Sequence, residues 1–358
     1  MIEFTLHPQV HSTGHNKGLI GLLERAWVRE HRSGEGHMVI MSGFGNYNGG
    51  VRFFDVFRHH VERGGRVSAI FGGSTSQRLT SKQVVEELLE CGADVHLVNR
   101  KRILHAKCYG TEVEDENRLV VSSGNFTGPG MSQNIEGSVF LDAATTQAMS
   151  FRWQGLLDSF FSQRWQFHRP TLADRSAPAW KLLYDEIETD IRLDDSEDVT
   201  LLLTLSHADT ARIQAAHGTE AAKGTQYFWL SKDCYDFFPP LTLPNERGTK
   251  RTYSCIIKLE YIDLNITDPN CRVTFEAENN LDFRLGTGPL RHTKIAREGD
   301  LAAITRTGHD TYQLRIFAKG TSGFEALSPY AVTFIGHQGK RYGSMPNEEF
   351  DQIVAIGR

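Results

Sequence analysis

The strongest constraint on this chain is a change in the period of its apolar residues near Pro170. Ahead of it, strand-like and helix-like segments alternate. Ile2–Leu6, His37–Ser42, Arg66–Phe71, Asp94–Val98, Leu104–Tyr109, Leu119–Ser122 and Ile135–Leu141 are short β-type runs. Lys17–His31, Val51–Arg63, Ser81–Cys91 and Thr145–Trp165 carry apolar residues at helical spacing, with Gly92 placed as a C-cap. This alternation predicts an α/β layer architecture with a substantially parallel sheet. Later, the runs Val199–Leu205, Gln226–Leu230, Thr252–Glu260, Arg272–Glu278, Leu301–Thr305, Tyr312–Phe317 and Ala331–Ile335 are separated by Gly, Pro, Asn and Asp turns. That pattern predicts an all-β barrel or sandwich. The 358 residues suit two domains. The expected boundaries are 1–170, an acidic linker at 171–192, and 193–358.

One stretch carries chemistry: LHAKCYG, followed by LVVSSGNFTGPGMSQNIEG. His105 and Lys107 are one residue apart in an expected strand, so both side chains point to one face. The Lys supplies a fixed charge for phosphoryl oxygens, and the His can attack phosphorus or transfer a proton. Asn125 follows the strand Leu119–Ser122, and its amide can donate to a phosphate oxygen. Gly128, Pro129 and Gly130 keep that loop open to a ligand. Glu136 opens the next strand, where a carboxylate can hold an imidazole in one tautomer.

In combination, H-x-K, x-S-x-N-x-T and N-x-E resemble the signature of the phospholipase D superfamily, with the best fit to its small bacterial nucleases. The matching positions are His105, Lys107, Ser123, Asn125 and Glu136. The family's Asp five residues after the Lys is here Glu112, which is not assigned to catalysis. The resemblance covers about residues 1–170. With one H-x-K near residue 105 and a β-rich second half, the whole chain resembles type IIS restriction endonucleases of that superfamily.

The resemblance implies a phospholipase D-like catalytic and dimerisation domain joined to a B3-like pseudobarrel that binds double-stranded DNA sequence-specifically. It implies metal-independent hydrolysis of DNA phosphodiesters through a covalent phosphohistidine, with no cofactor. Family members use two H-x-K motifs per active site; of the three H-x-K tripeptides in this chain, at His15, His105 and His292, only that at His105 is followed by the S-x-N and N-x-E elements. Two subunits of a homodimer would therefore share a site across a two-fold axis. Candidate DNA-reading residues are Arg212, Trp229, Arg247, Arg272 and Asn279, because Arg reads guanine, Asn reads adenine, and cations hold phosphates. Two other functions compete: a phospholipase D-like phosphodiesterase or lipid phosphatidyl transferase, and a DNA-binding regulator with an inactive nuclease domain. The lipid enzyme would bring a second H-x-K with its own following Asn motif, and an interfacial helix. The regulator would have lost His105 or Lys107.

The formal net charge of -5 argues against a polyanionic partner until it is located. Residues 1–170 carry 18 basic and 17 acidic side chains, residues 201–358 carry 18 and 18, and residues 171–200 carry 3 and 9. The acidity is thus one short segment. That polyanion either screens the catalytic groove or is a solvated linker. Five widely spaced cysteines fit a reduced, cytoplasmic protein, and neither a leader nor a membrane span is expected. His7, His11 and His15 read as loop residues, His59 and His60 as helix surface, and Gly72–Thr75 as a turn.

Overall fold

The structure, a computed structural model, describes residues 2–7, 10–187, 199–219, 223–231, 234, 237–247, 250–276, 282–335 and 340–356. It divides into two compact units, Met1–Thr189 and Asp190–Arg358.

The first unit is built on nine strands: β1 (Ile2–His7), β2 (His11–Ser12), β3 (His37–Ser42), β4 (Arg66–Gly72), β5 (Asp94–Asn99), β6 (Lys107–Val113), β7 (Glu116–Ser122), β8 (Glu136–Leu141) and β9 (Gln166–His168). They form one sheet in the order β2-β1-β8-β7-β6-β3-β4-β5-β9. Only β3–β4 and β4–β5 run parallel. The expectation of a largely parallel sheet therefore fails. A crossover helix separates parallel neighbours, whereas a two-residue turn joins β6 to β7 and imposes antiparallel pairing.

The helices are α1 (Gly18–Glu24), α2 (Tyr47–Gly50), α3 (Phe54–Glu62), α4 (Lys82–Glu90), α5 (Ala143–Ala148) and α6 (Trp153–Phe161). All six residues of β3 are buried, as in a strand covered on both faces. On one face Val39 and Met41 pack with Ile70, Trp153 and Leu157. Elsewhere in the core, Trp27 stacks edge-on against Phe53, Phe57 and Tyr109. The long helix expected over Thr145–Trp165 is two helices, because Ser150 adopts a left-handed backbone with φ of 54° between them.

Residues 171–187 lie against this unit. The Ser74 amide donates to Leu182 O at 3.0 Å and the Lys82 amide to Tyr184 O at 2.8 Å. The amides of Gly73 and Ser74 are both bonded to backbone carbonyls, which makes the Gly72–Thr75 segment a held turn.

His60, expected on the surface of α3, is fully buried. Its Nδ1 accepts from Gly34 N at 2.9 Å and lies 3.4 Å from His31 Nε2. His37 Nε2 meets Ser68 Oγ at 2.8 Å. Burial lowers His31 and His37 to about 4, with nearby cationic groups acting in the same direction. Their unfolded value is about 6.5, so the unfolded chain binds more protons between those values. The stability contributed by these two neutral imidazoles is therefore fully present above about pH 6.5 and is lost as pH falls toward 4. Melting temperature measured from pH 7.5 to 4.5 checks this, and a flat profile would refute it.

The second unit holds β10 (Val199–Thr204), β11 (Tyr227–Trp229), β12 (Leu243–Arg247), β13 (Lys250–Tyr261), β14 (Ile266–Glu276), β15 (Asp282–Gly286), β16 (Leu301–Arg306), β17 (Thr311–Phe317), β18 (Thr333–Ile335) and β19 (Lys340–Pro346). Their sheet runs β11-β15-β14-β13-β17-β16-β10-β19-β18, with β12 paired to β13. The unit is β-rich but also carries helices α7 (His207–Gln214), α8 (Ser322–Leu327) and α9 (Asn347–Ile356), which the all-β expectation left out. The start of α7 has a local cause, a capping box between Ser206 and Asp209. Leu327 of α8 and Phe350 of α9 are buried with Leu202, Leu301 and Met345.

Candidate active site

The site begins where β3 and β6 meet. Ser42, the last residue of β3, pairs with Lys107, the first of β6. Gly43 lets the exit from β3 run against the approach to β6. Its amide donates to Ala106 O at 3.1 Å, and a Cβ there would fall 2.4 Å from Leu104 O. The strand expected from Leu104 therefore starts only at Lys107, with His105 in the preceding loop. The two side chains still converge. Lys107 Nζ lies 2.9 Å from His105 Nδ1 and donates to His105 O at 3.1 Å.

Lys107 is 7% exposed, whereas His105 is on the surface. Burial lowers the pKa of Lys107, and the charge of Glu136 opposes that shift. The ammonium is thus a dehydrated cation beside an open imidazole, a setting in which a phosphoryl oxygen gains more than it would in water.

Asn125 leaves β7 toward the same end of the sheet. Its Oδ1 lies 3.4 Å from Ser42 Oγ, whose oxygen accepts from Phe126 N at 2.9 Å. Among the described residues its Nδ2 has no hydrogen-bond partner, so the amide is left to donate to a ligand. Glu136 opens β8 as expected, but its partners differ from the expected imidazole. Ser123 Oγ and Asn134 Nδ2 donate to its carboxylate, the latter at 3.2 Å. Within one chain it acts on the charge of Lys107 and the position of Ser123. Two apolar side chains beside these residues are exposed, Val121 at 43% and Ile135 at 70%.

Glu112 sits near the other end of β6, about 17 Å along the strand from Lys107. Its carboxylate accepts from Gln154 N at 2.9 Å, in the first turn of α6, and lies 3.6 Å from Arg152. It caps a helix. Asn117 does the same for Trp153 N at 3.0 Å. Asp185 and Glu186 of the acidic segment are also docked on this unit. Gln83 Nε2 donates to Asp185 at 2.7 Å, and Tyr47 N donates to Glu186 at 2.8 Å. Tyr47 lies three residues beyond Phe44, whose ring is edge-on to His105 at 6.2 Å.

In the second unit Arg212 lies on α7, Trp229 on β11 and Arg272 on β14, and Arg247 closes β12. Asn279 falls outside the described residues. The structure joins Arg212 and Trp229 through Tyr227 and through Arg284, which ends the Arg- and Asn-bearing stretch 270–284. Tyr227 meets Trp229 edge-on at 5.0 Å, and the Arg284 guanidinium lies over both rings, at 5.2 and 5.8 Å. The Arg212 guanidinium lies 5.9 Å from the Tyr227 ring. The pairing of β15 with β11 sets Arg284 opposite Trp229. Arg272 donates to Ser254 Oγ at 3.0 Å. Among the described residues no cluster of three His, Cys, Asp or Glu side chains is placed to hold a metal ion, and no helix is long and apolar enough to cross a membrane.

Residues 193–357 match the family described as the DNA binding domain of the metal-independent restriction enzyme BfiI. The second unit resembles the DNA binding domain of BfiI. The BfiI-type match takes in nearly the whole second unit, from just before β10 to the end of α9. Among solved structures, the chain is similar to the phospholipase D family member Nuc from Salmonella typhimurium, at 16% identity and a TM-score of 0.35, covering 48% of this chain and 99% of that one. It is also similar to NucT from Helicobacter pylori, at 17% identity and a TM-score of 0.32, covering 44% and 96%. A third is the polyphosphate kinase from Porphyromonas gingivalis, at 14% identity and a TM-score of 0.29, covering 43% and 22%. No curated protein matches the chain.

Proposed function

We propose that this chain is a metal-independent type IIS restriction endonuclease. Residues 1–170 form a phospholipase D-like catalytic and dimerisation domain, the acidic segment 171–192 follows it, and 193–358 form a B3-like domain that recognises double-stranded DNA. The observation that carries the reading is the buried Lys107 ammonium against the exposed His105 imidazole in one unit, in a chain whose other unit matches the BfiI DNA binding domain.

In the proposed chemistry an imidazole nitrogen of one His105 attacks phosphorus. The phosphorus–oxygen bond to the leaving group breaks, and the His105 of a second copy protonates the departing oxygen. Water then attacks the phosphohistidine, gives a proton back to the second imidazole, and frees the first. Lys107 and Asn125 from both copies hold the phosphoryl oxygens, and Glu136 holds Ser123 and offsets the Lys107 charge. Arg212, Trp229, Arg247, Arg272 and Asn279 read or grip DNA. The exposed Val121 and Ile135 beside the site suit burial against a second copy of the chain.

Two measurements test this. Plasmid DNA incubated in excess EDTA should give discrete fragments, and release of phosphatidate from lipid without any DNA cleavage would overturn the reading. Sedimentation should find the active species to be a dimer, and an active monomer would refute the shared site.

A further inference from the structure

The loop between β5 and β6 ends on His105 and begins with three consecutive cations, Arg100, Lys101 and Arg102. All three side chains are exposed, and among the described residues none forms an ion pair. Adjacent like charges repel one another, so an anion that sits between them is favoured. Arg100 is fixed by other means. Its guanidinium lies 4.4 Å from the Trp165 ring centroid, and Trp165 is itself packed edge-on against Phe160 at 5.1 Å.

The position of this run follows from the sheet order. β5, β4 and β3 are parallel, so their C-terminal ends share one edge of the sheet. β6 lies beyond β3 and starts at that same edge. The loop must therefore cross the ends of β4 and β3, about 14 Å at three strand spacings, to deliver His105. Open α/β sheets bind ligands outside such strand ends. Arg102 is three residues from His105, so their Cα atoms are at most about 11 Å apart. Successive phosphates of one strand advance about 3.4 Å along the duplex axis, which puts the neighbouring phosphates within reach of these long side chains.

We propose that Arg100, Lys101 and Arg102 form a phosphate-docking rail that grips the DNA backbone beside the phosphodiester attacked by His105. The inference rests on the endonuclease reading and adds to it a sequence-independent binding site within the catalytic unit. Arg100 is the rigid end, preset by Trp165, and Lys101 and Arg102 are the mobile contacts. Such contacts carry no base information. They raise affinity through counterion release and fix the register of the strand over the imidazole.

The test is the salt dependence of single-turnover DNA cleavage by the full chain with and without Lys101→Ala and Arg102→Ala together. Losing two phosphate contacts should make the slope of log rate against log salt shallower by about 2, with cleavage near 0.15 M salt lower by on the order of tenfold. The charge-keeping variant Lys101→Arg with Arg102→Lys should retain the wild-type slope, which separates lost charge from a disturbed loop. An unchanged slope in the alanine variant overturns the rail while leaving the endonuclease reading intact. A wild-type protein that cuts no DNA in EDTA removes both.

Discussion

His105→Ala is expected to lower DNA cleavage by at least about 10⁴-fold, since it removes the attacking group and the proton donor at once. Lys107→Ala should approach that loss, because its ammonium is the buried cation at the site and no other described Lys or Arg contacts His105. Both variants should remain folded and still recognise the same DNA sequence, as the proposed reading surface lies in the other unit. Mixed dimers give a sharper test. If each site takes one His105 from each copy, every dimer with one His105→Ala subunit is inactive. An equal mixture should then retain about one quarter of the activity, whereas independent sites would retain about one half. Cleavage by His105→Ala at near wild-type rate would remove this imidazole from the chemistry altogether.

Local pattern determines some parts of this molecule and long-range pairing determines others. The ranges of β3, β4 and α4 are readable because a continuous apolar run or a capped helical period is a nearest-neighbour property. The mixed sheet is less so, since the direction of β6, β7 and β8 depends on turn length rather than on strand composition. His105 and Lys107 were legible as a pair. The start of β6 between them was not, because it depends on Gly43 packing against Leu104 O. The roles of Glu112 and Asn117 at the start of α6 needed the tertiary contact itself. His60 looks like a surface residue in an amphipathic helix and is buried because the chain at Gly34 and Gly65 closes over it. The amide of Gly34 donates to its ring, and a Cβ at Gly65 would fall 2.2 Å from its Nε2. The start of α7 was within reach, for Ser206 and Asp209 spell a capping box that the surrounding β runs obscure.

The same Asp209 carries the second large effect. Its side chain is fully buried and faces Lys340, which is 5% exposed. Lys340 Nζ reaches the two carboxylate oxygens at 2.8 and 2.7 Å and also donates to Trp229 O. Ser206 N at 2.7 Å, Ser206 Oγ at 2.6 Å and Trp229 N at 2.8 Å complete the shell. One carboxylate thus fastens α7, β11 and β19 together. Lys340→Met keeps most of the volume but leaves a buried anion without its cation, a loss of about 3–5 kcal/mol. Denaturant unfolding of the full chain should show the transition of the second unit moving to lower denaturant while that of the first stays in place. Adding Asp209→Asn removes the stranded charge and should recover part of the loss, since an amide oxygen still accepts from Trp229 N or Ser206 N. Because the pair also fixes the backbone of Trp229 and the helix bearing Arg212, DNA affinity should weaken along with stability. Wild-type unfolding in Lys340→Met would show that the ion pair is replaceable and that β11 is held by its pairing with β15 alone.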